Sequence, residues 1–561
     1  MIRVLSALGL VLIAGSFSLD VAAQDSAPEK NESVPKGWHL KDLQKDGLYG
    51  ISLDQAYDFL KSKGLKSTPV IVGIVDSGID TTHEDLKPVL WVNTKEIPGN
   101  GVDDDRNGYI DDIYGWNFLG SKDGKENVTK DSFEGARVYW KYKQKFEGKS
   151  ESQIPASEKA DYQLWLRAKQ EITKDATNKE EVDFMKLMAQ VLKEGDSIIR
   201  KELNKEVYSC KDLNTYTPLA AAATKVKQIM MATCKGNDNY DITSKMLIDD
   251  VQKDVDKASL LEQPPTNYRA DVVKDNYNDF NDKYYGNNNV LVDNESAMHG
   301  THVAGIVGAA RNNGLGMDGV ADNVKLMSIR AVPDGDEHDK DIALGIRYAV
   351  DNGARVINMS FGKGYSPEKK WVDDAVKYAE SKNVLLVHAA GNDAANVDTA
   401  YNFPSAKFAD GKRPQSWITI GASGDKKSGG LTASFSNYGK KEVDIFSPGV
   451  KIYSTVPGGN TYADLQGTSM AAPVVSGVAA LIMSYYPNLS AVQVKNILEK
   501  SVSKPSERVK NPGGGPDVNL SELSVYGGIV NAYKAVKLAD EESRLTKAAP
   551  VKKATATKKK K

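Results

Sequence analysis

The sequence predicts an α/β fold in which a doubly wound, mostly parallel sheet is interrupted by a large helical insertion. The main observation is a set of short runs rich in apolar and β-branched residues, typical of parallel strands buried on both faces. These runs occupy residues Val70–Val75, Val324–Val332, Val356–Met359, Val384–Ala389 and Ile418–Ala422. Helical patterns lie between several of them, and strands that alternate with helices indicate a parallel sheet with helices on both faces.

Two of the intervening helices are predicted from their spacing and end signals. Residues Asp341–Gly353 repeat apolar residues at helical intervals and end in a glycine, which is a common helix stop. Ser366 and Pro367 have the residue types of an N-cap and a first-turn proline, so we expect the second helix to begin there. Its buried face would carry Val372, Ala375, Val376 and Ala379.

The composition changes between residues 123 and 287, where glycine becomes rare and Lys/Glu-rich helical patterns replace the strand-like runs. We interpret this region as a helical insertion, with one apolar stripe as core between packed helices. The stripe comprises Phe184, Leu187, Met188, Val191 and Leu192. The role of the insertion stays open between a substrate gate, an inhibitory lid, a partner surface and a passive appendage. The spacing of its two cysteines, Cys210 and Cys234, leaves their pairing open as well.

The N-terminus has the pattern of an export signal. Arg3 precedes the apolar run Val4–Phe17, and Val21-Ala22-Ala23 then fits the small-residue rule for cleavage before Gln24. Residues 1–23 are therefore predicted to be a signal peptide, and the mature protein to be extracytoplasmic, either secreted or periplasmic. The apolar run is shorter than the roughly 20 residues of a membrane-spanning helix. Because no later run is long enough either, no membrane span is expected.

The remaining parts of the chain are a short N-terminal segment, residues 24–65, and a tail, residues 541–561. The tail mixes Ala, Thr and Lys without periodicity, so we expect it to be basic and disordered. The whole chain has a formal net charge of only -2. Such a balance gives no electrostatic reason to expect nucleic acid as a partner.

Two motifs carry candidate reactive residues of the α/β domain. Asp76 follows the first predicted strand, at the carboxyl edge of the sheet where α/β enzymes build their sites, although Asp before Gly is also a turn signal. His299 opens a segment of small residues that contains His302 at helical spacing. A zinc pair would need the HExxH arrangement, which is absent here. We therefore expect His299 to be the reactive histidine and His302 to be a packing or hydrogen-bonding residue.

A third motif contains Ser469, within Gly467–Pro473, at the start of a predicted buried helix. The amides and the dipole of a helix N-terminus favour developing negative charge, although Ser at this position is commonly only a cap. What distinguishes Ser469 from an ordinary cap is its occurrence together with the other two motifs.

The segments DSGID, HGTHVAG and GTSMAAP, in this order, resemble the three signatures of the subtilisin-like serine proteases. The resemblance covers about residues 66–118 and 288–535 and implies a catalytic domain at residues 66–122 and 288–540. It implies a serine endopeptidase in which Ser469 attacks the peptide bond, His299 takes its proton and Asp76 orients the imidazole. The alternatives are a catalytically inactive peptide-binding protein and an adhesin that works through the helical insertion.

The resemblance also implies residues that stabilise the oxyanion and bind the substrate. The segment Ala389-Ala390-Gly391-Asn392 is similar to the AAGN segment of the family. Asn392 would then donate its side-chain amide to the oxyanion, together with the backbone N–H of Ser469. The expected partners are protein or peptide substrates in extended conformation. Their edge would be Ser360, Phe361 and Gly362, and the other wall of the primary pocket would be Ala389, Ala390 and Gly391.

A separate acidic segment is a candidate calcium site. Asp103, Asp105, Asn107 and Asp111 alternate around Gly108 in a way that resembles the start of an EF-hand-like loop. Its twelfth position is Tyr114, so Asp112 or a distant carboxylate would have to complete the coordination shell. Calcium is thus the expected cofactor, and none is expected for the chemistry. The competing interpretation is an Asx-rich surface turn.

Overall fold

The computed structural model describes residues 34–174, 179–205, 207–236, 240, 242–259 and 263–548. The predicted signal peptide and the last residues of the predicted tail lie outside these ranges. The chain divides into two compact units, an α/β unit that ends at Glu134 and resumes at Asn267, and a helical unit between them, Gly135–Thr266. The insertion predicted for residues 123–287 is therefore shorter at both ends, because its first and last residues pack with the α/β unit.

A seven-stranded sheet forms the centre of the α/β unit, with the strand order β2-β3-β1-β4-β5-β6-β7 and parallel pairing throughout. Its strands are β1 (Val70–Asp76), β2 (Gly115–Asn117), β3 (Val324–Arg330), β4 (Val356–Met359), β5 (Leu385–Ala389), β6 (Trp417–Ser423) and β7 (Ile445–Pro448). A separate antiparallel hairpin consists of β8 (Ile452–Val456) and β9 (Thr461–Leu465). The predicted fold class, a doubly wound parallel α/β sheet, is confirmed.

The helices differ in kind between the two units. Those of the helical unit are largely amphipathic, whereas α10 and α13 of the α/β unit are apolar and almost entirely buried. In chain order the helices are α1 (Leu43–Asp46), α2 (Leu53–Ser62), α3 (Glu134–Phe146), α4 (Lys159–Lys174), α5 (Lys179–Leu203), α6 (Cys210–Leu213), α7 (Ala221–Gly236), α8 (Ser244–Ser259), α9 (Tyr268–Val272), α10 (Met298–Gly308), α11 (Asp339–Asp351), α12 (Lys369–Ser381), α13 (Thr468–Tyr485), α14 (Ala491–Lys500) and α15 (Ala532–Ala548).

Both faces of the sheet are covered by hydrophobic core. Alternate residues of β1 show this, since Val72 and Ile74 belong to the core that includes α10 and α13, and Val75 to the core that includes α11 and α12. Among the described helices, α13 has the length and composition of a membrane span, but 89% of that window is buried inside the protein. Its apolar residues are therefore accounted for by packing against the sheet.

The strand order reverses beside β1, and this reversal determines where a site can form. From β1 the chain builds β2 and β3 on one side and β4 to β7 on the other. The register pairs Val75 with Met359 and Met359 with His388. Asp76, Ser360 and Ala389 thus end or follow three adjacent strands at the same edge of the sheet, where open α/β sheets bind ligands.

The predicted boundary at residue 66 differs from the structure, because residues 34–65 are part of the α/β unit. Trp38 and Ile51 are completely buried in its main core. The indole of Trp38 donates a hydrogen bond to the carbonyl of Val450 at 3.0 Å, and the amide of Ala532 donates to the carbonyl of Ile51 at 2.7 Å. These apolar residues are too few to form a core alone, so they complete the core of the larger unit.

Two helix boundaries also differ from the prediction. Helix α12 begins at Lys369 and not at Ser366, whose hydroxyl donates to Asp339 at 3.0 Å instead of capping the helix. Helix α15 continues to Ala548, so the tail predicted to be disordered from residue 541 begins with helical residues. Part of the reason is that Ser543 is buried and its hydroxyl bonds to Asn488 at 2.9 Å.

The helical unit has a small core of its own. Cys210 and Cys234 are both buried there and form a disulfide, the pairing that the spacing left open. The predicted stripe on α5 is only partly right, because Leu192 is fully buried whereas Leu187 is 57% exposed. The buried face is centred about one residue further along the helix, on Met185, Ala189, Leu192 and Ile199.

Candidate active site

The first pair of candidate residues is brought together across the sheet edge. Asp76 is buried at the end of β1, and its Oδ1 accepts hydrogen bonds from the amide of Ser77 at 2.8 Å and from Nδ1 of His299 at 2.7 Å. Its Oδ2 is buried without a hydrogen-bond partner among the described residues. Because an ionised carboxylate can only accept, Nδ1 of His299 is the donor, and Nε2 is left as the basic nitrogen.

Close packing between two glycines allows this contact. Gly300 follows His299 in α10, and a Cβ atom at Gly300 would lie 2.1 Å from the carbonyl oxygen of Gly78. Gly78 itself has φ +115°, which side-chain-bearing residues rarely adopt. The amide of Gly300 also donates to Oγ of Ser77 at 3.2 Å. The glycines of the first two motifs are therefore required for α10 to start directly on the turn after β1.

The two histidines of α10 have opposite electrostatic environments. Burial disfavours the charged form of His299, but the carboxylate of Asp76 outweighs it, so the pKa of His299 is raised above the usual 6.5. His302 bonds through Nε2 to the carbonyl of Ala463 at 3.0 Å, and burial lowers its pKa to about 3. His302 is thus a neutral hydrogen-bonding residue, as expected.

Ser469 is the second residue of α13, two positions after Gly467, a glycine that other residues could not easily replace. Gly467, the N-cap, has φ 152° and ψ 165°, a conformation essentially restricted to glycine. The hydroxyl of Ser469 donates to the carbonyl of Ser360 at 3.0 Å. The hydroxyl proton is therefore directed at Ser360 in this structure, and the hydroxyl has to reorient before it can donate to Nε2 of His299.

Two N–H donors, the side-chain amide of Asn392 and the backbone amide of Ser469, have no acceptor among the residues that the structure describes. Oδ1 of Asn392 accepts from the amide and the hydroxyl of Thr468, at 2.9 and 3.0 Å, which identifies the other amide atom as Nδ2. A Cβ placed on Gly467 would lie 3.5 Å from Nδ2 of Asn392 and 3.6 Å from the amide nitrogen of Ser469. Both donors thus border one small volume at a helix N-terminus, where an anion is stabilised.

The candidate substrate edge follows β4 and has unpaired backbone groups. The carbonyl of Phe361 bonds to Nε2 of His388 at 2.9 Å, and burial lowers the pKa of His388 to about 4, so the ring is a neutral donor. Among the described residues, the amide and carbonyl of the next residue, Gly362, have no hydrogen-bond partner. Ala389, which ends the adjacent strand β5, and Ala390, which follows it, are buried. An extended backbone stretch with free donors and acceptors can pair with a peptide strand.

Comparison with known families assigns the chain. The model of the subtilase family matches residues 67–520, which include every candidate active-site residue described above. The chain belongs to the subtilase family. It is accordingly a serine endopeptidase.

Individual relatives match less than half of the chain. Subtilisin DY of Bacillus licheniformis is 40% identical over 244 residues, 43% of this chain and 77% of its own length. The cell wall-associated protease of Bacillus subtilis is 35% identical over 285 residues, 48% of this chain and 29% of its own length. A solved protease of Pseudoalteromonas arctica is 32% identical over 43% of this chain and 70% of its own, with a TM-score of 0.36. The chain thus covers less than a third of the length of the Bacillus subtilis protease.

Several residues that shape this subtilase site were not found from the sequence. Asn437 accepts from the amides of Asp393 and Ala395, both at 2.9 Å, and donates to the carbonyl of Ala390 at 2.9 Å. It therefore holds the loop that carries Asn392. His388 and Thr468 were missed as well. For Asn437 the sequence offers no distinctive signal, because it lies between Ser436 and Tyr438 in an ordinary polar segment.

The acidic loop is only partly arranged as predicted. Asp103 and Asp105 lie together with Glu96, and their carboxylate oxygens are within 4.8 Å of one another. Asp111, however, caps the amides of Gly99 and Gly101, at 2.8 and 2.9 Å. The EF-hand-like ligand set is therefore not reproduced, because the chain turns back between these residues.

The other two predicted ligands are engaged in hydrogen bonds. Asn107 accepts from the amide of Tyr109 at 2.7 Å and donates to Asp112 at 3.0 Å. Asp112 also accepts from Tyr348 and Asn93, and burial raises its pKa to about 6. Asp112 is thus a buried hydrogen-bonding group, and the distant carboxylate that lies beside Asp103 and Asp105 is that of Glu96.

Proposed function

We propose that this subtilase hydrolyses peptide bonds in extended protein segments through an acyl-enzyme intermediate on Ser469. The observation that carries the proposal is the 2.7 Å bond between Asp76 and His299, at the sheet edge where α13 presents Ser469. A serine hydroxyl needs a base within hydrogen-bond reach, and His299 has Nε2 available for this role.

In the first step His299 takes the proton of Ser469 as its oxygen attacks the substrate carbonyl. The raised pKa of His299 favours this transfer, and Asp76 stabilises the resulting imidazolium. His299 then gives the proton to the leaving amine. Water repeats the sequence on the acyl-enzyme, with His299 again as base, and regenerates the Ser469 hydroxyl. The reorientation of the Ser469 hydroxyl away from Ser360 precedes the first step.

The negative charge that develops on the substrate oxygen requires preorganised donors. Nδ2 of Asn392 and the amide of Ser469 border the same volume, and within the described part of the chain neither has an acceptor of its own. The bond from Thr468 keeps Nδ2 oriented before substrate arrives, so no reorganisation is needed during the reaction.

The substrate would lie as an added strand on Ser360, Phe361 and Gly362. The free amide and carbonyl of Gly362 support this binding mode, because main-chain hydrogen bonds recognise extended peptides of many sequences. Ala389, Ala390 and Gly391 would form the opposite wall of the primary pocket. The expected partners are therefore proteins and peptides.

Export and a calcium ion complete the proposal. The N-terminal pattern of charge, apolar run and small residues supports an extracytoplasmic location. Glu96, Asp103 and Asp105 offer hard oxygen ligands close enough to share one cation, as calcium prefers. Calcium would stabilise the loop after β1 and would take no part in the chemistry.

A fluorophosphonate probe tests the proposal directly, since it reacts only with a serine activated by a working base. We expect labelling at Ser469 and cleavage of unstructured casein, and we expect both to be lost in Ser469→Ala. Ser484→Ala is the matched control, because Ser484 is in the same helix and its hydroxyl donates to the carbonyl of Leu481 in that helix. Folded protein that neither labels nor cleaves would favour the inactive peptide-binding alternative.

A further inference from the structure

The residue that follows the proposed substrate edge carries a buried positive charge. The side chain of Lys363 is only 1% exposed, and its Nζ contacts Glu134 at 2.8 Å and Asp339 at 2.9 Å. It also donates to the carbonyl of Glu337 at 2.6 Å. An ammonium group has three protons, so this cluster uses all three. A charge this deeply buried is stable only when it is fully paired.

The partners of Lys363 belong to two separate stretches of the α/β unit. Glu337 and Asp339 lie at the start of α11, where Asp339 also accepts from the amide of Glu368 at 2.8 Å. Glu134 is the last residue of the α/β unit before the helical unit, and its amide donates to Asp336 at 2.7 Å. Lys363 thus joins the substrate edge to the start of α11 and to the point where the insertion leaves.

The backbone around Lys363 is anchored on one side only. Its amide donates to the carbonyl of Phe403, and its carbonyl accepts from the amide of Phe403, both at 2.9 Å. The preceding residue, Gly362, has no side chain, and its backbone groups have no hydrogen-bond partner among the described residues. The position of Gly362 is therefore determined by its neighbours, and Lys363 is the more firmly held of them.

We propose that Lys363 is a positioning residue for substrate binding, with Glu134 and Asp339 as its counter-charges. The cluster holds the free amide and carbonyl of Gly362 where an extended peptide can pair with them. This inference rests on the proposed function. It also makes the binding of long peptides depend on Glu134, the last residue before the insertion. Without Lys363, two buried carboxylates would face each other, and their repulsion would displace the segment.

The test compares Lys363→Met with Arg269→Met as a matched control. Arg269 is also buried, and its partners among the described residues are Asp341 of α11, Asp275 and the rings of Tyr277 and Tyr285, which all lie outside residues 360–363. For each variant, kcat and KM are measured on a peptide with four residues before the scissile bond and on a single-residue ester. Thermal unfolding is recorded for all three proteins, so that a loss of stability is measured separately.

We expect Lys363→Met to raise KM for the long peptide about tenfold, the size of one lost main-chain hydrogen bond. Its kcat and its ester hydrolysis should stay within about twofold, because only binding shared by ground and transition states is lost. Arg269→Met should lower the unfolding temperature without changing the ratio of the KM for the long peptide to the KM for the ester. The inference is overturned if Lys363→Met raises KM equally for both substrates. It is also overturned if Arg269→Met changes the ratio of the two KM values as much as Lys363→Met does.

Glu134→Gln provides the test if Lys363→Met does not fold. It removes one counter-charge and keeps a hydrogen-bond acceptor, so KM for the long peptide should rise about threefold. An unchanged ratio of long-peptide to ester KM in this variant would refute the positioning role. Failure of the proposed function would look different, because the unmodified protein would then neither label with fluorophosphonate nor cleave either substrate.

Discussion

The hydroxyl of Ser360 donates a hydrogen bond to the backbone carbonyl of Ser469 at 2.9 Å. In a regular α-helix this carbonyl would accept a hydrogen bond from the amide four residues later. In α13 that amide would belong to residue 473, which is proline and has no N–H. Ser360 is itself fixed by Asn358, whose side-chain amide donates to its hydroxyl at 2.9 Å. The first turn of the helix that carries Ser469 is thus bonded to the substrate edge in both directions, since Ser469 donates to the carbonyl of Ser360.

The first prediction concerns this bond. Ser360→Ala leaves the carbonyl of Ser469 buried without a donor, which costs about 1–3 kcal/mol of unfolding free energy. Because the orientation of Ser469 is also loosened, kcat should fall while KM changes little. Denaturant unfolding and steady-state kinetics measure the two effects. Ser484→Ala, which removes a hydroxyl from the far end of the same helix, should leave kcat unchanged, and an equal loss of kcat there would contradict the explanation.

The second prediction is the pH dependence of activity. His299 must be neutral to accept a proton, and its pKa is raised by Asp76, so kcat/KM should fall as the pH drops through a value above 6.5. Asp76→Asn removes the charge that raises this pKa, so the remaining activity should have its acid limb at lower pH. The level of activity should fall by about 10⁴-fold, as for the same change in another triad protease.

The control for this shift is Asp80→Asn. Asp80 lies on the same turn and accepts from Thr82 at 2.9 Å, but it makes no contact with the His299 ring. Its pH profile should keep the midpoint of the unmodified protein. If Asp76→Asn keeps that midpoint too, Asp76 does not govern the titration of His299.

Asp76 and Glu96 show what could and could not be predicted from the sequence alone. Asp76, His299, Ser469 and Asn392 lie within short motifs, where the chain direction and a few glycines determine the local geometry. Glu96 joins Asp103 and Asp105 through the path of an irregular loop, and no periodicity records such a path. Lys363 was missed for the same reason, because its partner Glu134 is distant in the chain.

Residues 24–65 were set apart from the catalytic domain because the resemblance to the family begins only at about residue 66. The membership of this segment in the core depends on Trp38 and Ile51 reaching residues near the C-terminus of the chain. Contacts of this kind are long-range packing, which local residue patterns do not record. Strands β1, β3, β4, β5 and β6 were predicted, since burial on both faces leaves an unbroken apolar run, whereas β2 and β7 were not.

The third prediction concerns the calcium site. Glu96→Gln removes one of the three clustered carboxylates, so the rise in unfolding temperature on adding calcium should shrink or vanish. Isothermal titration calorimetry of the two proteins measures the affinity directly. Asp111→Asn is the control, because that carboxylate caps Gly99 and Gly101 and its loss should lower stability equally with calcium and with chelator. The site is refuted if the unmodified protein binds no calcium and is equally stable in chelator.

The fourth prediction is that a single methyl group at Gly467 abolishes turnover. A Cβ there would lie 3.5 Å from Nδ2 of Asn392 and 3.6 Å from the amide of Ser469, within the volume assigned to the oxyanion. The φ of 152° adds backbone strain, so Gly467→Ala should lower both stability and fluorophosphonate labelling. Gly459→Ala separates the two causes, because Gly459 has φ +90° with no atom within 4 Å of its Cβ position. Gly459→Ala should lose stability and keep its labelling rate. Normal turnover in folded Gly467→Ala would mean that the oxyanion lies elsewhere.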